Sequence, residues 1–184
     1  MSLAKTHIIA SILFFSIYSF TREGKKDIKI DTSDKKKELK QDSLTNKNLY
    51  SILNLQEKQI DSLKGKTQFF YVDFWASWCT ACIGHFRFSK RIQEDYKSAP
   101  IAFIFVSIDE DEIFWKSAKE KYKISALNSY RISNYQENSF IKVYNIFSLP
   151  RYMIFDNRGN IINSQAPNPS NPEIREIFEK LLNK

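Results

Sequence analysis

The chain has 184 residues, of which 42% are hydrophobic and 15 are phenylalanines, enough for one domain with a substantial core plus additional sequence. Only four glycines and five prolines occur, which excludes a fibrous or low-complexity protein. The formal charge of +7 comes from 28 basic residues interleaved with 21 acidic ones, without a basic strand studded with aromatic residues. We therefore expect a solvated, lysine-rich surface and no nucleic-acid partner.

The first predicted element, residues 1–20, has the pattern of an export signal. Its apolar run, IIASILFFSIYSF, follows Lys5 and is shorter than the roughly 20 residues that cross a bilayer comfortably. Basic residues beyond the run, Arg22, Lys25 and Lys26, count against export. We expect a signal peptide and a periplasmic or extracytoplasmic protein. Two alternatives stay open: an uncleaved membrane anchor, and a buried element of a cytosolic protein.

Residues 21–47 are predicted to be a flexible charged linker. The stretch has few apolar side chains and many charges, so it cannot bury enough surface to offset the entropy cost of ordering. One globular domain is then expected over residues 48–184.

The domain is predicted to open with a buried βαβ unit. A turn at 64–66 leads into TQFFYVDFW, a run typical of a strand buried on both faces. Residues 80–97 have apolar side chains at helical spacing, and Pro100 ends that segment. The run 101–109, IAFIFVSID, predicts a second buried strand. Strand, helix and strand in this order indicate a parallel pair.

The rest of the domain is predicted to add helices and a hairpin. Residues 109–122 suit a helix with Ile113, Ala118 and Tyr122 facing the core, whereas the polar stretch 124–139 has no clear assignment. Trp115, in this helical insertion, is expected in the core.

A hairpin follows at 151–162, with a turn at 156–159. Asn171 should cap a final helix with Pro172 at its first position, and Ile174, Ile177, Phe178, Leu181 and Leu182 fall on one face of that helix. The predicted fold class is α/β, a central mixed sheet flanked by helices, with the helical insertion between the βαβ unit and the C-terminal hairpin and helix.

The chain's two cysteines, Cys79 and Cys82, stand three positions apart, which random placement would give roughly one time in a hundred. They follow the first long strand, at the sheet edge where reaction sites lie in open α/β folds. The dipole of the following helix would stabilise a Cys79 thiolate, and Cys82 would resolve a mixed disulfide. The spacing predicts a redox-active dithiol/disulfide couple that needs no other cofactor.

Asp73 is predicted to be a buried proton relay. It lies within the apolar run FFYVDFW, where burial should raise the pKa of its carboxyl toward the neutral range. A base of that kind could deprotonate Cys82. The alternative is a structural aspartate bonded to nearby backbone.

Two alternatives to a redox-active couple are considered. Cys79, Cys82 and His85 could bind a metal, but a closed zinc site needs four ligands, and His7 lies in the predicted signal. We therefore predict no metal site. A non-catalytic module that binds peptides is the second alternative, because fold alone does not establish activity.

Two segments resemble the thioredoxin superfamily: VDFWASWCTAC, with Asp73 six residues before the first cysteine, and SLPRYMIFDNRGNII at 148–162. The predicted export signal and the SIDED stretch resemble the TlpA/ResA-like branch of periplasmic thiol–disulfide oxidoreductases. The resemblance implies a thioredoxin-like fold and a cis Pro150 against the disulfide. The implied substrate-binding residues are Trp78, Thr80, Ala81, Leu149 and Pro150, although Trp75 and Trp78 are also expected to pack around the site.

The chain departs from the pattern of that branch at several positions. Ala81 stands where proline is common, His85 where glutamate is usual, and Arg87 where a proline is usual. Asp73 replaces a common asparagine. A protonated His85 could tune the thiol pKa and make the couple more oxidising.

The resemblance implies exported protein disulfides or dithiols as substrates. It further implies a reductant recharged by a membrane electron donor, a tether through the N-terminus if that segment is kept, and a monomer.

Overall fold

The computed structural model of the protein describes residues 48–124 and 128–183. The predicted signal at 1–20 and linker at 21–47 lie outside these residues, so both stay predictions. Within the described ranges, no helix is both long enough and apolar enough to cross a membrane.

Five strands form one mixed sheet in the order β3-β2-β1-β4-β5. In chain order they are β1 (Phe69–Trp75), β2 (Ile101–Ser107), β3 (Ser129–Arg131), β4 (Arg151–Asp156) and β5 (Ile161–Asn163). The pairs β1–β2 and β2–β3 are parallel, whereas β1–β4 and β4–β5 are antiparallel. The predicted mixed sheet, βαβ unit and C-terminal hairpin are therefore confirmed.

Six helices surround the sheet in the described part of the chain. They are α1 (Leu49–Ile52), α2 (Glu57–Lys64), α3 (Thr80–Asp95), α4 (Glu112–Lys121), α5 (Ser139–Val143) and α6 (Glu173–Leu182). The sequence predicted α3, α4 and α6. The helical insertion is confirmed as α4 and α5, with the edge strand β3 between them.

Strand β1 is central, and all seven of its residues are buried. Its side chains alternate between two core clusters, one containing Phe70, Val72 and Phe74, the other containing Phe69 and Tyr71. The second cluster also holds Ile92 of α3 and Phe178 of α6, while the first holds Leu49 of α1 and Phe140 of α5. Helices cover both faces, which is why β1 carries a continuous apolar run instead of an alternating one.

The start of α4 differs from its prediction. Ile113 was expected in the core but is 70% exposed. Asp111 caps the helix by accepting the Ile113 N–H, at 2.7 Å, which places Ile113 in the exposed first turn. Ala118 and Tyr122 pack on the core as predicted, and so does Trp115. The expected core position of Ile113 is therefore wrong, while that of Trp115 is confirmed at partial burial.

The start of α6 agrees with its prediction to within one residue, since Pro172 directly precedes the helix instead of being its first residue. The Asn171 side chain accepts the Glu173 N–H at 3.0 Å, and Pro172 already has helical angles, φ −60° and ψ −27°. Ile174 and Phe178 are fully buried, and the other three residues of the predicted apolar face pack on the same cluster.

Candidate active site

Cys79 and Cys82 form a disulfide where β1 passes into α3, with their Cα atoms 5.3 Å apart. Cys79 is the N-cap of α3, and its Sγ accepts the backbone N–H of Cys82 at 3.1 Å. Cys79 is 7% exposed and Cys82 is fully buried. Cys79 is thus the more exposed of the two residues, and its Sγ lies at the positive end of a 16-residue helix, which favours its thiolate once the bond is reduced.

The turn before Cys79 is held by a buried carboxylate, that of Asp109, just after β2. Asp109 is 2% exposed and accepts hydrogen bonds from Ser77 and from the Ser107 hydroxyl. From the sequence, Asp109 was expected only at the boundary between the second strand and the following helix. A polar residue directly after a buried strand, beside the strand that carries the cysteines, was the signal available for finding it.

Asp73 is buried as predicted, at 2% exposure. Burial raises the pKa of its carboxyl well above the usual range, and a hydrogen bond from Ser89 opposes that shift only in part. The Ser89 hydroxyl donates to Oδ2 at 3.4 Å, whereas Oδ1 has no partner in the described part of the protein. No hydrogen bond there links Asp73 to either cysteine. Its role as proton relay therefore stays a prediction.

His85, one turn beyond Cys82 on α3, is half-buried and hydrogen bonded to the neighbouring strand. Its Nδ1 lies 2.9 Å from the Tyr152 hydroxyl on β4. Burial, and then the nearby charge of Arg87, lower the pKa of His85, so the neutral imidazole is favoured near neutral pH. The protonated form suggested by the sequence is disfavoured in this disulfide state, and tuning of the thiol pKa by His85 stays a prediction.

Pro150 precedes β4, and its peptide bond with Leu149 is cis, as the resemblance implied. Leu149 packs against the core cluster that contains both cysteines. Pro150 and His85 both line a cleft whose volume is about 350 Å³. Ser148, Arg151, Tyr152 and Asn168 are among the other residues that form its wall.

The remaining predicted site residues surround the disulfide on its solvent side. Thr80 and Ala81, between the cysteines, are exposed. Trp78 is 59% exposed, so its expected packing role is wrong, whereas Trp75 is fully buried as expected. An exposed indole beside Cys79 is available to contact a substrate.

The alternative, a metal site, can be checked against the positions of the possible ligands. Over residues 48–124 and 128–183, no group of three or more His, Cys, Asp or Glu side chains is placed to hold a metal ion. Both sulfurs are bonded to each other.

A family model described as Redoxin matches residues 23–181 of this chain. The chain belongs to the Redoxin family. This membership covers most of the sequence, including the disulfide, Asp73 and the cis-proline segment.

Curated relatives of this Redoxin protein include thiol-disulfide oxidoreductases named ResA. One, from Bacillus thuringiensis subsp. konkukian (strain 97-27), is 20% identical over 176 residues, covering 95% of this chain and 91% of its own. Another, from Bacillus cereus (strain ATCC 10987 / NRS 248), is 21% identical and covers 72% of this chain and 74% of its own.

Among solved structures, a Bacteroides vulgatus protein provisionally assigned as a thiol-disulfide oxidoreductase is 29% identical. It covers 67% of this chain and 78% of its own, with a TM-score of 0.60. A thiol:disulfide interchange protein from Bacteroides sp. is 24% identical, with a TM-score of 0.53 and coverage of 65% and 76%, and that likeness concerns the fold.

The Redoxin match, these relatives and the disulfide geometry confirm three sequence predictions. The fold is thioredoxin-like, the chain is a ResA-like member of the thioredoxin superfamily, and its enzyme class is a CxxC thiol–disulfide oxidoreductase.

Proposed function

We propose that this Redoxin protein exchanges its Cys79–Cys82 couple with disulfides of exported proteins, acting as a reductant. The observation that carries the proposal is the placement of the two sulfurs. Cys79 Sγ is the N-cap acceptor of α3 and Cys79 is the more exposed residue, while Cys82 is fully buried one turn further on. A slightly exposed nucleophile with a fully buried resolving thiol suits dithiol exchange.

The reaction begins with the reduced couple. The Cys79 thiolate attacks one sulfur of the substrate disulfide, forms a mixed disulfide with it and releases the other substrate sulfur as a thiolate. Cys82 loses its proton and attacks Cys79 Sγ, which restores the Cys79–Cys82 bond and releases the second substrate thiolate. Two electrons pass from the protein to the substrate, and solvent protonates the released thiolates. Asp73 is proposed as the group that accepts the Cys82 proton.

Substrate positioning is proposed for the exposed residues around the disulfide. An extended polypeptide would run along the segment of Leu149 and Pro150, with Trp78, Thr80 and Ala81 contacting it from the other side. The exposure of Trp78 and the cleft beside Pro150 support this arrangement.

The cellular setting is proposed from the sequence of residues 1–47 and from the ResA-like relatives. The protein would act outside the cytoplasm, exported or tethered by residues 1–20, as a monomer recharged by a membrane electron donor. The couple itself would be the only redox centre, with no bound cofactor or metal.

Insulin reduction tests the proposal. The full chain, supplied with dithiothreitol, should accelerate insulin precipitation over dithiothreitol alone. The rival function, a non-catalytic peptide-binding module, is suggested by the cleft beside Pro150. Under that rival, peptides would bind, but the full chain would leave the rate at the background value.

A further inference from the structure

The cleft beside Pro150 has a charge bias that the redox chemistry does not use. None of the residues lining its volume of about 350 Å³ is acidic, whereas Arg151 and His85 are among them. Arg87, two residues beyond His85 on α3, adds a nearby positive charge that, after burial, contributes to lowering the pKa of His85. With His85 neutral, the lining carries one positive side chain, that of Arg151, and no carboxylate.

Three arginines of the described residues have no side-chain partner in an ion pair or hydrogen bond, and of these Arg91 and Arg158 are exposed whereas Arg151 is partly buried. Arg175 pairs with Asp95, Arg131 donates to the carbonyls of Asp109 and Glu110, and Arg87 packs on the Phe88 ring. Arg151 is partly buried, yet it takes part in no ion pair or side-chain hydrogen bond within the described ranges. A partly desolvated guanidinium without a partner favours an anionic ligand.

Neutral donors in the wall add to this preference. Oδ1 of Asn168 already accepts hydrogen bonds from Ser170 and Asn171, so the amide NH₂ is the group that remains for a ligand. Ser148 supplies a hydroxyl to the same cleft. The Tyr71 hydroxyl donates to the carbonyl of Pro167, another lining residue, at 2.8 Å.

We propose that this cleft binds a carboxylate side chain of the substrate polypeptide, a glutamate or aspartate close in sequence to the cysteine that Cys79 attacks. The inference rests on the proposed function, in which an extended substrate runs along Leu149 and Pro150, and Pro150 also lines the cleft. An extended substrate that passes Pro150 projects alternate side chains to either side, and one of them enters the cleft. The substrate class is thus a disulfide flanked by an acidic residue.

Paired peptides test this inference on the oxidised full chain. Each is an extended octapeptide with serine in place of cysteine. Four positions are tested in turn, the two before and the two after that serine, and the two peptides of a pair differ only in having glutamate or glutamine there. Dissociation constants are measured by isothermal titration calorimetry. At one position at least, the glutamate peptide should bind about fivefold more tightly, the size expected for one partly exposed ion pair.

Three variants test whether Arg151 in the cleft causes the preference for glutamate. Arg151→Gln should remove it, and Arg151→Lys should keep most of it. Arg158→Gln, which alters an exposed arginine in the turn before β5, should leave it unchanged. The preference should also shrink between low and high salt. Denaturant unfolding of each variant checks that its fold is kept.

The outcomes separate this inference from the proposed function. Equal dissociation constants for each pair, no binding up to millimolar peptide, or a preference that survives in Arg151→Gln would overturn the inference. Cystine-containing glutamine peptides, given with dithiothreitol, report turnover separately. Turnover without a glutamate preference would support the proposed function and overturn the inference. A glutamate preference without turnover would support carboxylate binding in the cleft and contradict the proposed function.

Discussion

The carboxylate of Asp109 accepts hydrogen bonds from both the backbone N–H and the hydroxyl of Ser77, which lies two residues before Cys79. The N–H lies 3.1 and 3.0 Å from the two carboxylate oxygens, and the hydroxyl lies 2.7 Å from Oδ1. The end of β2 is thereby joined to the turn that presents Cys79. Because Asp109 is almost fully buried, these bonds are shielded from competing water.

Asp109→Ala should therefore impair both folding and chemistry. The Ser77 N–H and the Ser107 hydroxyl would lose a charged acceptor, which should lower the free energy of unfolding by about 3 kcal/mol. A displaced turn should also slow insulin reduction at temperatures where the variant is still folded. Asp111→Ala, which removes only the exposed cap of α4, is the control, and we expect it to cost about 1 kcal/mol with unchanged activity. Full activity in Asp109→Ala would show that the turn does not need the hydrogen bonds from Ser77 to Asp109.

The buried carboxyl of Asp73 should make the free energy of unfolding fall as pH rises, which is the opposite of the usual effect of an aspartate. Its folded-state pKa is raised above the ordinary value of 3.8, so the folded protein holds this proton more tightly than the unfolded chain does. The stability that it contributes is complete below that ordinary value and is lost as pH rises through the folded-state pKa. Within this window the slope approaches about 1.4 kcal/mol per pH unit.

Asp73→Asn is the variant that isolates this effect. It should be more stable than the wild type at pH 7, with an advantage that grows between pH 4 and pH 7 in denaturant unfolding. If Asp73 also accepts the Cys82 proton, the variant should turn over more slowly near neutral pH. An advantage that is the same at every pH would contradict the raised pKa, and unchanged kinetics would remove Asp73 from the mechanism.

The two cysteines are expected to differ when each is replaced by serine. Cys79→Ser removes the nucleophile, so insulin reduction should fall to the background rate. Cys82→Ser keeps the nucleophile but cannot resolve the mixed disulfide, so the protein should accumulate covalently bound substrate. Non-reducing electrophoresis and mass spectrometry measure the adducts. If the Cys79→Ser variant accumulated adducts through Cys82, the assigned roles of nucleophile and resolving thiol would be reversed.

Gly159 provides a stability test away from the site. Its φ is +84°, and a Cβ there would lie 2.7 Å from Oδ1 of Asn48, the residue that caps α1. Gly159→Ala should therefore lower the free energy of unfolding by about 2 kcal/mol. Gly84→Ala is the matched control, since a Cβ on that residue of α3 meets nothing within 4 Å and alanine favours a helix by about 1 kcal/mol. A loss of stability in both variants would contradict this assignment.

The sequence predicted the features that depend on local pattern. The spacing of Cys79 and Cys82, the apolar run around Asp73 and the Asn171 cap are each visible within a few residues. The contacts that build the rest of the site are long-range: His85 meets Tyr152 across 67 positions, and Ser77 meets Asp109 across 32. Such pairs depend on strand register and helix phase, which no short window of sequence contains.

The missed elements have the same cause. Strand β3 has only three residues, and its existence depends on pairing with β2 at Phe105, Val106 and Ser107. The short helix α1 is held by Leu49, whose N–H donates to the Gly159 carbonyl at 2.7 Å. Neither segment has a periodic pattern long enough to predict it alone.

A redox titration of the full chain, with glutathione or dithiothreitol buffers and thiol trapping, measures whether the protein can act as a reductant. We expect one reversible two-electron transition of the Cys79–Cys82 couple, near the value of about −270 mV found for thioredoxin. A potential near the −120 mV of a strong oxidant would contradict the proposed direction of electron flow. Failure of the two cysteines to form and break their disulfide reversibly would contradict the proposed enzyme itself.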